Sequence, residues 1–382
     1  MTAVPATPPM HLILQGDAFM RGRHYGEQAR DRIHRSLTNY EAMFASVGIG
    51  WAQAVARARV FEDVIGRVFP GQLDELRGIA QGSGTDMGAL MALNCRTELL
   101  PANYLAIASG LLPPTLADGG HANECTSLAV SDQSDVRLLA QNWDWLGSQR
   151  EALVLLEQHP DQGVSHITVA EAGMLAKIGL NERGLGITLN ILRSHEDDYR
   201  KPGMPVHALL RGLLDCEDVR EARELALSLI YCSSSNVMMA DADGAIVSIE
   251  ASPRGARAVE AQAEGARRWL CHTNHFCDPD LRSIDASLEG NLSTTQRLLR
   301  AQARIGQVHD RETAGNLLCD QSDDLQSICR FPDPSMPPAA RIETVVSVVM
   351  DLAARTLWLS PAQPSITGYR AWPLEARVML GD

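Results

Sequence analysis

One cysteine stands where covalent chemistry is easiest to arrange. Cys125 lies in NECTSLAV, where a loop rich in Pro, Gly and Asp (residues 112–124) gives way to a run of strand-forming residues. Hydroxyls follow it at once, at Thr126 and Ser127. A thiol at such a junction can attack the carbonyl of the residue before it, here Glu124. Hydrolysis of the resulting thioester would cut the chain between Glu124 and Cys125 and leave Cys125 with a free α-amine. The ordinary pKa of that amine is about 7.7–8.0, close enough to neutral for it to act as base toward its own thiol. Nucleophile and base then come from one residue, and no histidine is needed. A free cysteine is more often a small buried apolar residue, so Cys-Thr-Ser alone does not decide the matter.

Its surroundings add weight. Nineteen residues on, AQNWDW places Asp144 at the end of the next strand, after a turn at 132–135 that makes a hairpin. Hairpin strands lie about 5 Å apart, so a carboxylate there can reach the amine or thiol and hold the attack geometry. Trp143 and Trp145 flank it and suggest an apolar or aromatic acyl group. CHTNHFC (271–277) offers two cysteines and two histidines, all potential zinc ligands. It lacks the C-x₂₋₄-C and H-x₃₋₅-H spacings of zinc sites, and strand alternation sends His272 and His275 to opposite faces. No metal or cofactor is expected.

The elements that must position these residues divide at Cys125. Before it, 21–46, 51–69, 72–81 and 87–99 carry apolar residues at three- and four-residue spacing and read as helices. After it, 126–131, 137–143, 152–158, 166–170, 186–192 and 236–240 read as short strands, with Asp243-Gly244 as a hairpin turn. Helices return at 206–214, 219–231 and 293–306, and strands at 344–352 and 356–359 close the chain. Antiparallel strands with helices grouped around them predict an α+β sandwich, not alternating βαβ units. The 382 residues carry a net charge of −13 and no basic face, which argues against nucleic acid. No bilayer-length apolar run or signal peptide is visible, and the eight cysteines include no C-x-x-C pair, so a cytoplasmic enzyme with reduced thiols is expected.

NECTSLAV, AQNWDW, EAGMLAKIGLNERGLGITLN, SSSNVMMADADG and CHTNHF together resemble the acyl-coenzyme A:6-aminopenicillanic acid acyltransferase family, which belongs to the N-terminal-nucleophile hydrolases. The resemblance runs from about residue 22 to 364, with the motifs in the family's order. It implies a four-layer αββα sandwich and a single domain, 1–382, cut into 1–124 and 125–382. The two fragments would stay together as a heterodimer, with higher oligomers left open. It implies Cys125 as nucleophile, Asp144 as the aspartate of N-W-D, and Asn190 and Asn274 as donors to the oxyanion. Arg330, in SICRF, would border the site. The family commonly has Gly before the nucleophile; Glu124 here does not take a strained backbone as freely, which bears on the self-cleavage step. The expected reaction is acyl transfer from a small-molecule amide or acyl thioester. Two rivals are an unprocessed, inactive binding protein of the same fold and a metal-dependent hydrolase built on CHTNHFC.

Overall fold

The computed structural model describes residues 8–101, 125–288, 293–322, 327–337 and 341–374. Glu124 and the loop before it, with the expected cut, lie outside the described residues. In chain order the strands are β1 (Met10–Gly16), β2 (Cys125–Ser131), β3 (Arg137–Leu146), β4 (Leu153–Pro160), β5 (His166–Glu171), β6 (Ile178–Asn181), β7 (Gly186–Ile191), β8 (Ser235–Ala240), β9 (Ile246–Ser252), β10 (Gly255–Glu260), β11 (Gln262–Glu264), β12 (Arg267–His272), β13 (Ile342–Asp351), β14 (Thr356–Ser360) and β15 (Arg370–Pro373). They form two sheets, ordered β1-β4-β5-β6-β7-β8-β9-β10 and β11-β12-β2-β3-β13-β14-β15. Only β1–β4 pairs in parallel; the other pairs are antiparallel.

The sheets face each other, with β2 and β3 against β7 and β8. Helices cover both outer faces: Ala18–Gln28 lies on β1 and β4, and Val219–Ser228 on β8, β9 and β10. Across the molecule Ser293–Arg304 lies on β2 and β12, and Arg311–Leu318 on β3 and β13. This is the four-layer αββα sandwich, of class α+β, that the sequence predicts. Alternation along each strand splits the core in two. Cys125, Ala129, Leu139, Trp143 and Trp145 join the cluster between the sheets, whereas Leu128, Val130, Leu138 and Ala140 pack under the outer helices with Ala301 and Leu317.

The helix-rich first part is fixed by close packing and caps. Helices Ala18–Gln28 and Pro70–Ser83 approach through glycines: a Cβ on Gly22 would sit 2.0 Å from the Glu75 carbonyl oxygen, and one on Gly78 2.2 Å from that of Phe19. Only hydrogen fits there. Asp17 and Asp86 cap their helices by accepting from the N–H groups of Met20 and Gly88. The stretches 21–46 and 51–69 are each two helices, broken at Ala29 and Arg59. Strand β1, MHLILQG, carries no strong local signal and exists through its pairing with β4. Among the described residues no helix is long and apolar enough to cross a membrane.

Candidate active site

Cys125 is the first residue of β2 and is buried. The β2–β3 hairpin pairs it with Trp143, so Asp144 sits one residue beyond its partner and two before the end of β3. The backbone of Cys125 is held from both sides. Its N–H donates to Asn274 Oδ1 at 2.7 Å, and its carbonyl accepts from Arg297 Nη1 at 2.6 Å. Arg297 also donates to Thr126 Oγ1 (3.1 Å) and to Asn274 Oδ1 (3.1 Å). This guanidinium is fully buried on helix Ser293–Arg304, where Thr294, Arg297 and Ala301 form the inward stripe.

Asp144 shares the helix-facing side of the sheet. Its Oδ1 accepts from Thr344 Oγ1 at 2.7 Å, while Oδ2 is buried with no hydrogen-bond partner among the described residues. Thr344 is aimed at it by an irregularity in the β3–β13 pairing between Thr344 and Val346. Burial pushes the Asp144 carboxyl up to about 7, against the opposing effects of Thr344 and Arg297. Burial likewise pushes the Cys125 thiol up to about 12, with Asp144 adding to the rise. The Asp144 backbone N–H, Arg297 and Lys177 act in the opposite direction.

The inter-sheet side holds a different set. Asn190, in β7, accepts on Oδ1 from Ser127 Oγ (2.5 Å) and Asn236 Nδ2 (3.2 Å). That leaves its Nδ2 buried and without a partner among the described residues. Lys177 Nζ stands 3.4 Å from the centre of the Trp143 ring and 2.8 Å from Glu171 Oε2. The Arg96 guanidinium lies 4.5 Å from the Trp145 ring centre and reaches the same carboxylate oxygen at 3.3 Å. Tyr40 donates to the other Glu171 oxygen. Burial alone would raise the Glu171 pKa, but Lys177 and Arg96 bring it down to about 2. Burial, with Arg96 in support, pulls Lys177 down to about 7 despite Glu171.

The structure thus gathers Cys125, Asp144, Asn190 and Asn274, drawn from four separate strands or strand ends. Asn274 Nδ2 donates one of its two N–H groups to the Ile191 carbonyl at 3.0 Å, and Oδ1 accepts from Cys125 and Arg297. Asn274 thus holds the Cys125 backbone nitrogen, and Asn190 Nδ2 is the amide nitrogen here with no partner among the described residues. Trp143 and Trp145 are both buried in the inter-sheet layer, each under a cation. Arg330 meets the site through its backbone: its N–H donates to Thr344 Oγ1 at 2.8 Å, one step from Asp144.

Sequence reasoning missed Arg297, Lys177, Thr344 and Ser127. Two signals were available. Arg297 falls on the inward stripe of an amphipathic helix, and Lys177 is one of two lysines in the chain, set within the otherwise apolar MLAKIGL. The CHTNHFC histidines have different partners, although β12 ends at His272 and strand alternation does not extend to His275: His272 bonds Glu250 Oε1 at 2.7 Å, and His275 lies 2.9 Å from Thr294 Oγ1.

A cysteine opening a central strand of an αββα sandwich, with its backbone nitrogen anchored by a side-chain amide, has the layout of an N-terminal-nucleophile enzyme. The family described as "Acyl-coenzyme A:6-aminopenicillanic acid acyl-transferase" matches residues 131–365, and the chain belongs to it. Among its relatives is the acyl-coenzyme A:6-aminopenicillanic-acid-acyltransferase 40 kDa form of Emericella nidulans. The two are 26% identical over 267 residues, covering 70% of this chain and 69% of that one. Solved structures similar to this chain include a variant conjugated bile acid hydrolase from Clostridium perfringens, with 14% identity and a TM-score of 0.46 over 65% of this chain and 92% of that one. Another is penicillin V acylase from Agrobacterium tumefaciens, with 13% identity and a TM-score of 0.36 over 62% and 83%.

Proposed function

We propose that Cys125 is the nucleophile of an acyl transfer performed first on the chain itself and then on a small-molecule amide or acyl thioester. In the first reaction the Cys125 sulfur attacks the Glu124 carbonyl, the peptide nitrogen leaves as the Cys125 amine, and water hydrolyses the thioester. Asp144, a buried carboxylate whose charge acts on the Cys125 thiol, takes the thiol proton and passes it to the leaving nitrogen. In the second reaction the freed amine is the base. The sulfur attacks the substrate carbonyl, Asn190 Nδ2 donates to the developing oxyanion, and the leaving group takes the proton back. Water then releases the acyl group in a hydrolase, and an amine releases it in an acyltransferase.

The observation that carries this reading is the 2.7 Å bond from the Cys125 backbone nitrogen to Asn274. The atom that would become the catalytic base already has a dedicated acceptor. The name of the Emericella relative supports the substrate class, since it pairs an acyl thioester with an amine acceptor. Trp143 and Trp145 would wall the acyl pocket, and Arg330 would border it. The fragments 1–124 and 125–382 stay associated because Tyr25, Ile33 and Leu90 share one buried cluster with Leu153, Val169 and Leu189.

Intact mass tests both reactions. Active protein should give two masses that co-elute as one particle on gel filtration. Cys125→Ala should remain a single 41.5 kDa chain with no turnover and an unchanged far-UV spectrum. Active protein that stays whole would remove self-cleavage; an active alanine variant would remove Cys125.

A further inference from the structure

A second cluster of reactive side chains lies directly behind Asn274. His272 ends β12, Glu250 comes from β9, and Cys277 follows in the bend after Asn274. One donor atom from each of the three lies within 4.8 Å of the others. Glu250 and His272 are fully buried, whereas Cys277 is partly exposed. The acyl-transfer mechanism uses none of them.

We propose that Glu250, His272 and Cys277 bind a zinc-class divalent cation that fixes the 272–277 turn and, through it, the position of Asn274. The donor set of one imidazole, one carboxylate and one thiol is of the kind zinc prefers. Two of the ligands are already oriented by outer bonds, as metal ligands usually are. His272 Nδ1 lies 2.8 Å from the Thr273 carbonyl, which assigns it the N–H and turns Nε2 toward Glu250. Glu250 accepts from the backbone N–H groups of Cys277 (2.6 Å) and Asp278 (3.0 Å). Partial exposure of Cys277 provides an entry path and a fourth position for water. A tetrahedral zinc ion with ligands at about 2.0–2.3 Å holds neighbouring donors roughly 3.4 Å apart, so the 2.7 Å His272–Glu250 contact opens by less than an ångström on loading. The ion replaces the proton between those two residues and the Cys277 thiol proton, both of which leave to solvent. The carboxylate and thiolate then neutralise the dication.

Zinc spacing rules miss this site because its third ligand lies on another strand, 22 residues before His272. The consequence for Asn274 is direct. It sits between His272 and Cys277, and its Oδ1 holds the Cys125 nitrogen.

Cobalt reports the site without relying on catalysis. Full-length Cys125→Ala protein, in which the reactive thiol is gone, is stripped with chelator and titrated with Co²⁺. One equivalent should produce a thiolate-to-cobalt charge-transfer band in the near ultraviolet, and Zn²⁺ should displace it. The band should vanish when Cys277→Ser is added and persist when Cys319→Ser is added instead, Cys319 being another partly exposed cysteine. A protein that gives no band, or a band that survives Cys277→Ser, overturns the proposal. A second measurement needs no change at the site: zinc should slow alkylation of Cys277 in wild-type protein at least tenfold, as read by peptide mass. Equal rates with and without zinc would overturn it as well.

Discussion

The two faces of the β2–β3 hairpin are built on different principles, although Cys125 belongs to both. On the helix-facing side, Arg297 and Asn274 bond the Cys125 backbone, and Thr344 bonds Asp144, whose Oδ2 has no partner among the described residues. On the inter-sheet side, Lys177 and Arg96 lie over tryptophan rings and share one carboxylate, and the unused atom is Asn190 Nδ2. In the proposed reaction the first face handles protons, and the second presents the thiol and receives the negative charge. A buried acceptor left open on one side and a buried donor left open on the other are costly in a finished core. They make sense where a proton and an oxyanion pass through.

Breaking the amine face should cost most. Asp144→Asn keeps the shape and removes the proton acceptor, so self-cleavage should slow by about 10²–10⁴-fold. Since Asp144 must be ionised to act and its pKa is raised to about 7, the wild-type cleavage rate should climb as pH rises through that value. The asparagine variant should show no such climb. Normal cleavage by the variant would place the base elsewhere.

Asn190→Ala breaks the opposite face. It should lower kcat by about 10²–10³-fold with KM little changed, because an oxyanion donor acts in the transition state. A raised KM at constant kcat would make Asn190 a substrate-binding residue instead. Asn274→Ala should have a milder effect, about 10–100-fold on both cleavage and turnover, the value of one hydrogen bond that positions a charged group. Should Asn274→Ala prove the more damaging of the two in kcat alone, the roles drawn from their bonds would be exchanged.

The smallest kinetic effect is expected at Lys177→Met, which touches neither the amine nor the open donor. Its cost should appear in stability, about 1–3 kcal/mol by urea unfolding, because Glu171 keeps Arg96 and Tyr40. The sign with pH is fixed by Glu171, whose folded pKa is depressed to about 2. Its contribution is present above the ordinary glutamate value and is lost as pH falls toward about 2. The wild-type and Lys177→Met curves should therefore converge in acid; curves that stay parallel would mean that the lysine stabilises by packing on Trp143 alone.

What could be read from the sequence was local. The loop-to-strand change at Cys125, the hairpin that returns Asp144 beside it, and the helical periodicity of the first third are all set by residues close in the chain. The backbone decides them there. Asn190 and Asn274 came from motif order, which names residues but not the atoms they use. Hence Asn274 was expected as an oxyanion donor, and only the structure shows that its Oδ1 accepts from the Cys125 N–H.

The tertiary structure decided the rest, for reasons of distance and burial. Arg297 reaches the Cys125 carbonyl across 172 residues, and on its own helix a lone arginine reads as a solvated charge. Glu250 meets His272 and Cys277 only because β9 packs against β12. The raised Asp144 and lowered Lys177 follow from removal of water, which no local pattern records. The sequence alone determined where the candidate nucleophile stands and which strand follows it. Which buried atoms keep an open donor or acceptor beside it depended on two sheets and two helix layers closing over the hairpin.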